Sequence, residues 1–286
     1  MMKTNFVSMK EALKIADERG IALGAFEFWS YEVARAIVAG AEELGVPVIL
    51  QCGLTEIERM GGVENTVATA YMAAKEASVP VVLHLDHATT FELCNACINA
   101  GFSSVMIDAS ALPFEENVAL TRKVAHRARP FGVSVEGELG RLVGEEGDII
   151  VKGPEAAQTD PDEALEYVQR TGIDCLAVSI GTAHGQYTFE PKLNIGRLDR
   201  IKEKVKMPIV LHGGSGTPCE QVQEAIRHGI RKVNICTDIQ IAMGKAYTEV
   251  QKQEEFRYSA KNLWEPAEIA AKSCVMDKMK MFALMA

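Results

Sequence analysis

The feature that most constrains this chain is a regular alternation. Eight short runs rich in Val and Ile, at residues 21–28, 47–52, 80–87, 103–109, 132–140, 175–181, 208–215 and 232–237, are separated by stretches with helical periodicity. Several runs are apolar almost throughout instead of alternating, which fits a parallel sheet covered on both faces. The segments between them carry helix start and stop signals. Ser8 followed by Glu11 is a capping box, in which the hydroxyl takes a free backbone N–H and the carboxylate reaches back. Asp160-Pro161 and Thr217-Pro218 each place a capping residue before a first-turn proline. Gly20, Gly45, Gly101, Gly172 and Gly229 stand where helices end in a left-handed residue. Val33, Ile37, Ala41 and Leu44 share one helical face, as do Val222, Ala225, Ile226 and Gly229.

Eight strand–helix units in roughly 240 residues match the size of a closed (β/α)8 barrel. The expected fold is therefore α/β, a single TIM-barrel domain over residues 1–286 with extra N- and C-terminal helices. Residues 8–19 read as a helix closing the bottom of the barrel. The stretch after Thr237 reads as the eighth helix plus further helical segments. A doubly wound open sheet would carry a Gly-rich fingerprint after its first strand, and Gly24-Ala25-Phe26-Glu27-Phe28 is not one. A chain of 286 residues with 48% hydrophobic content is long enough to bury such a core.

The net charge of −9 argues against nucleic acid or an anionic membrane as the main partner. No apolar run reaches the length of a membrane span, and Met1-Met2-Lys3-Thr4-Asn5 does not open a signal peptide. Seven cysteines, an odd number at irregular spacing, read as reduced thiols in a cytoplasmic protein. Cys94 and Cys97 lie in an apolar helical pattern with Phe91 and Ile98, and no second pair follows. They read as buried core thiols, not as a redox pair or half a zinc site.

Chemistry in such barrels lies at the C-terminal ends of the strands, and the unusual residues cluster there. Strand three ends in His84-Leu85-Asp86-His87 and strand four in Asp108. Strand five carries Glu136-Gly137-Glu138, and strand six runs into Gly181-Thr182-Ala183-His184-Gly185. Strand seven ends in His212-Gly213-Gly214-Ser215-Gly216, and strand eight in Asn234, Thr237 and Asp238. Carboxylates and imidazoles converging on one rim share a divalent cation readily, and three imidazoles with an open position make a catalytic zinc site. Glycines beside hydroxyl and amide side chains on strands six to eight suit a phosphate cradle of backbone N–H groups. His126 and His228 lie within helical stretches and read as ordinary packed or solvated residues.

These stretches resemble class II aldolases of the fructose-bisphosphate and tagatose-bisphosphate type. The matching motifs are LHLDH at 83–87, MIDAS at 106–110, SVEGELG at 134–140, GTAHG at 181–185, LHGGSG at 211–216 and VNICTD at 233–238. The resemblance implies a lyase that makes and breaks a carbon–carbon bond next to the ketone of dihydroxyacetone phosphate. One catalytic Zn2+ would be held by His87, His184 and His212, with Asp108 and Glu138 at an alternative metal position and room for a second metal or a monovalent cation. Asp86 would be the acid/base on the acceptor oxygen. Glu146, in the Gly-flanked acidic stretch 144–148, would exchange the α-proton. Gly185, Gly213, Ser215, Asn234 and Thr237 would hold the donor's ketone and phosphate. The resemblance also implies a small phosphorylated sugar as substrate and a homodimer or homotetramer. Two rival readings reuse the same ligands: another zinc-dependent barrel enzyme such as a hydrolase, and a non-catalytic aldolase-like subunit.

The departures from that family fall on the acceptor side. Glu27 replaces the usual Asn after Ala-Phe on strand one. Gln51-Cys52-Gly53-Leu54 carries no hydroxyl where the family often has Ser or Thr. Near the C-terminus, Arg257 and Lys261 stand in for an arginine in a Gly-rich stretch. A carboxylate at Glu27 would repel a distal phosphate, so altered acceptor specificity is expected: an aldehyde without a phosphate, or one with hydroxyl or amino groups.

Overall fold

The computed structural model describes residues 6–140, 144–146, 149–151, 158–183, 191–253 and 259–285. Its strands are β1 (Leu23–Glu27), β2 (Val48–Cys52), β3 (Val81–Ala88), β4 (Ser104–Ile107), β5 (Ser134–Leu139), β6 (Gly144–Glu146), β7 (Ile149–Val151), β8 (Cys175–Val178), β9 (Ile209–Leu211) and β10 (Ile230–Ile235). Its helices are α1 (Met9–Arg19), α2 (Tyr31–Leu44), α3 (Leu54–Arg59), α4 (Val63–Ala74), α5 (Phe91–Ala100), α6 (Phe114–Ala128), α7 (Pro161–Thr171), α8 (Ile195–Val205), α9 (Cys219–Arg227), α10 (Thr237–Gln251) and α11 (Ala260–Phe282). Strands β1 to β5 and β8 to β10 close into one parallel barrel, with β10 pairing back onto β1. All eight expected strands are present; six lie inside the expected bounds, β3 runs one residue further to Ala88, and β10 starts two residues earlier at Ile230. Among the described residues no helix is long and apolar enough to cross a membrane.

The barrel has two apolar layers. Outside the strands, the residues facing the helices form one continuous core that includes Phe26, Leu50, Leu83, Val105, Val135, Leu176 and Leu211. Inside, Leu23, Ala25, Ile49, Val82, Cys175, Ala177 and Val210 form a second cluster, joined by Met9, Ala12, Leu13 and Ala16 of α1. Helix α1 thus plugs the bottom of the barrel, as its sequence position suggests. Its Ser8–Glu11 capping box is formed, and its Lys10 N–H donates to Ser134 Oγ at 3.0 Å. Burying Met9 and Leu13 there contributes about 1.5–3 kcal/mol each. Helix α11 buries Ala267, Ala271, Val275, Met279 and Phe282 at helical spacing. It approaches α2 closely at Gly40, where an added Cβ would lie 3.1 Å from Met276 Cγ.

Local chemistry explains where the structure departs from the sequence reading. Pro218, not Thr217, is the cap residue of α9, and the Thr217 hydroxyl instead donates to the Gly213 carbonyl at 3.0 Å. Helix α9 is capped at His228, the expected left-handed turn follows at Gly229 with φ 111, and His228 pairs with Asp199 at 2.6 Å. Within the acidic stretch, residues 144–146 pair antiparallel with 149–151, with Glu146 opposite Ile149. The β-branched run Ile149–Val151 supplies the strand-forming residues there. Cys94 and Cys97 are buried core thiols, and burial pushes the Cys97 thiol up to about 12.

Period-two alternation inside the barrel stacks polar residues above the apolar plug. Ala25 is followed two residues on by Glu27, Ile49 by Gln51, Val82 by His84 and Asp86, and Val210 by His212. Glu136 is followed by Glu138, and Lys232 by Asn234. All of these polar side chains are buried.

Candidate metal and catalytic site

Adjacent residues on a strand point to opposite faces, yet Asp86 and His87 both reach the mouth of the barrel. The backbone accounts for this. Leu85 pairs with Val105 and Ala88 with Ile107, so β3 advances three residues where β4 advances two. His87 takes φ 43, in the left-handed region that non-glycine residues avoid. Such a conformation costs roughly 1–3 kcal/mol and persists where surrounding structure enforces it, often at functional sites. Here the bulge turns the His87 ring inward beside Asp86.

The two imidazoles are tied from behind. His87 Nδ1 lies 2.9 Å from Asp108 Oδ2, and His212 Nε2 lies 2.8 Å from Glu136 Oε1. A carboxylate accepts, so each of these nitrogens carries its proton, and His87 Nε2 and His212 Nδ1 are left with their lone pairs. Those two atoms are 2.7 Å apart, with the rings edge to face. Two ring nitrogens at that distance share a cation, either a proton carried by one imidazolium or a metal ion in its place. Asp86, His87 and His212 offer ligand atoms all within 4.8 Å of one another, and His87, Asp108 and Glu138 make a second such group. This donor set, imidazole with carboxylate, fits a zinc ion.

Asp108 is 6% exposed. Burial works against its charge, but the hydrogen bond and charge of His87, with two hydrogen bonds from Ser110, hold it well below the usual carboxylate range. Asp86 receives the Asn234 side-chain amide on both oxygens, at 3.2 and 3.1 Å, and Gln51 Nε2 on Oδ2 at 3.0 Å. The same Gln51 nitrogen donates to Glu27 Oε2 at 3.0 Å, and the Gly53 N–H donates to Glu27 Oε1 at 3.0 Å. Burial first, then the charges of Asp86 and Glu56, push the Glu27 carboxyl well above its ordinary value.

Beside this cluster, Gly213 turns with φ 66 so tightly that a Cβ would meet the Ala183 carbonyl oxygen at 2.3 Å. Ser215 Oγ accepts from the N–H groups of Cys236 and Asp238, both at 3.3 Å, at the start of α10, which begins at Thr237. Ser215 and Thr237 therefore lie at a helix N-terminus, where the helix dipole favours an anion.

The structure thus brings Asp86, His87, Asp108, Glu138, His212 and Asn234 together, and links Glu27 to them through Gln51. His184, Gly185 and Arg257 lie outside the described residues. The backbone of Glu146 ends β6. The sequence reading assigned no role to Gln51, Glu136, His84 or Lys232. For Glu136, His84 and Lys232 the signal is the period-two spacing from Glu138, Asp86 and Asn234.

A (β/α)8 barrel whose strand ends carry a divalent-cation donor set defines the class: a metal-dependent barrel enzyme. Comparison with known proteins narrows it. The family model for class-II fructose-bisphosphate aldolase matches residues 7–285. The chain is 44% identical over 280 residues to a fructose-bisphosphate aldolase from Geobacillus stearothermophilus, covering 97% of each. It is 44% identical over 278 residues to a probable fructose-bisphosphate aldolase from Bacillus subtilis, covering 96% of this chain and 97% of that protein. Among solved structures, the YdjI aldolase from Escherichia coli K12 superposes with a TM-score of 0.85 at 34% identity, covering 97% of both chains. This chain belongs to the class-II fructose-bisphosphate aldolase family and is an aldehyde-lyase of that type. The family is zinc-dependent in general and acts on phosphorylated sugars.

Proposed function

We propose that this chain catalyses the reversible aldol addition of dihydroxyacetone phosphate to an aldehyde that carries no phosphate at its far end, using one zinc ion held by His87, His184 and His212. The observation that carries the reading is the pair of lone-pair nitrogens on His87 and His212, each backed by a carboxylate, beside Asp86. A zinc ion bound there supplies Lewis-acid stabilisation of the negative charge that builds on the donor oxygens. Asp108 and Glu138 mark a second position that a metal can visit.

The chain's own residues do the rest. Glu146 takes the α-proton from the donor carbon. Asp86, oriented by Gln51 and Asn234, delivers a proton to the aldehyde oxygen during addition and removes it during cleavage. Gly213, Ser215 and Thr237, with Gly185, hold the donor phosphate at the N-terminus of α10. Glu27 stands on the acceptor side of Asp86, where its ionised form disfavours a second phosphate and its oxygens accept hydrogen bonds from hydroxyl or amino groups. Arg257 is assigned to the same acceptor end, following the family resemblance. The reading takes the chain as one domain and as a cytoplasmic homodimer or homotetramer, following the family resemblance.

Loss of deuterium from the labelled α-carbon of dihydroxyacetone phosphate, with no acceptor present, tests the donor half. Exchange is expected with zinc, is abolished by a chelator, and falls in Glu146→Ala. Metal-loaded protein that exchanges nothing would sink the assignment. An aldehyde screen then tests the acceptor half. Cleavage of fructose or tagatose 1,6-bisphosphate as fast as by ordinary family members would refute the role given to Glu27.

A further inference from the structure

Below the ligand layer, the barrel interior holds an ion pair with no exposure to solvent. Lys232 Nζ lies 2.9 Å from Glu136 Oε2, and both side chains are 0% exposed. His84, also fully buried, lies beside them: its Nε2 is 3.4 Å from Lys232 Nζ, and its Nδ1 is 2.8 Å from Ser104 Oγ. The Cys175 thiol donates to Glu136 Oε2 at 3.6 Å. Burial works against the Lys232 charge, but Glu136 above all, with Asp86, raises its pKa, so the ammonium is retained. Burial and the neighbouring ammonium push His84 well below the ordinary imidazole range, so it stays neutral and accepts from Lys232.

Such a pair is a poor way to stabilise a core. Desolvating two charges offsets most of their attraction, and apolar residues of similar volume often serve as well or better. Its other carboxylate oxygen explains its presence better. Glu136 Oε1 accepts from His212 Nε2 at 2.8 Å. Held 2.9 Å from the Lys232 ammonium, the Glu136 carboxylate is positioned to accept from Nε2, which turns Nδ1 toward His87. Asp108 does the same for His87 from the rim, but it has Ser110 as its support. Glu136 is deeper, and its cationic support is Lys232.

We propose that Lys232, acting through Glu136, sets the tautomer and orientation of His212 and is a positioning residue for the metal site. This rests on the reading of His87, His184 and His212 as the zinc ligands. The ammonium is two side chains from the ion and touches neither substrate nor metal. Its effect is to fix the carboxylate behind His212 in place, as second-layer carboxylates behind metal-bound histidines are fixed.

The test must separate positioning from stability. The single variant Lys232→Met leaves a buried carboxylate uncompensated, and its melting temperature should fall sharply. The double variant Lys232→Met/Glu136→Leu removes both charges and should recover the melting temperature to within a few degrees of the parent. Zinc affinity is then measured in both proteins by competition with a chromophoric chelator, and the His212 tautomer by nitrogen-15 NMR. The proposal predicts that the refolded double variant binds zinc about 10- to 100-fold more weakly and loses the Nε2–H form of His212. Lys232→Arg should keep affinity within about threefold. A double variant with parental zinc affinity and the parental tautomer would overturn the proposal while leaving the ligand assignment intact. A parent protein that binds no zinc would overturn the ligand assignment itself.

Discussion

Replacing Glu27 by Gln should make stability less dependent on pH, and the size of the change follows from the geometry. The Glu27 carboxyl is 6% exposed, shares Gln51 with Asp86, and faces Glu56 across the Gly53 N–H. Its pKa in the folded chain is raised well above the ordinary 4.5, by burial first and then by Asp86 and Glu56. Above pH 4.5 the folded chain therefore keeps a proton that the unfolded chain releases. Stability from this group is fully present below that pH and declines by about 1.4 kcal/mol per pH unit until the folded pKa is passed. The amide of the Glu27→Gln variant has no such proton to lose. It has one acceptor oxygen where the carboxyl group of Glu27 uses two, so it gives up one hydrogen bond, about 0.5–1.5 kcal/mol. The variant should be slightly less stable than the parent at pH 4.5, equal about one pH unit higher, and more stable at neutral pH. Urea unfolding of both proteins from pH 4.5 to 8, each treated with chelator so that metal loss does not contribute, reads the difference directly. Parallel stability curves, or a variant still weaker at pH 8, would show that Glu27 carries no raised pKa. The same variant should gain rate with phosphorylated acceptor aldehydes.

Other consequences are equally direct. Asp108→Asn keeps the volume but removes the anion behind His87 Nδ1, and zinc affinity should drop about 10- to 100-fold in a chelator competition. Gly213→Ala places a methyl 2.3 Å from the Ala183 carbonyl at φ 66. It should raise KM for dihydroxyacetone phosphate well before it unfolds the chain, and an unchanged KM would remove Gly213 from the donor site. Tyr167→Phe deletes a fully buried hydroxyl that donates to Asn117 Oδ1 at 2.9 Å and meets Thr121 Oγ1 at 2.8 Å. Stability to urea should fall by about 1–3 kcal/mol.

Much of this protein was legible from the order of its residues alone. The eight apolar runs dictate a parallel barrel, because strands covered on both faces have no polar side to show. The capping box at Ser8 and the Asp160-Pro161 start are local hydrogen-bond chemistry, and they form as written. Residues at strand ends, such as His87, Asp108, Glu138 and His212, stood out because polar groups there break an apolar run. Thr217 and residues 144–146 each find a partner the local pattern does not reveal, the Gly213 carbonyl in one case and the 149–151 strand in the other. The inward turn of His87 depends on a bulge between β3 and β4, and a bulge is a property of two strands in register. The contact of Lys232 with Glu136 and of Gln51 with both Glu27 and Asp86 joins residues far apart in the chain. Sequence sets which side chains each strand turns inward; only closure of the barrel brings them within hydrogen-bond reach, because those distances are fixed across strands and not along them.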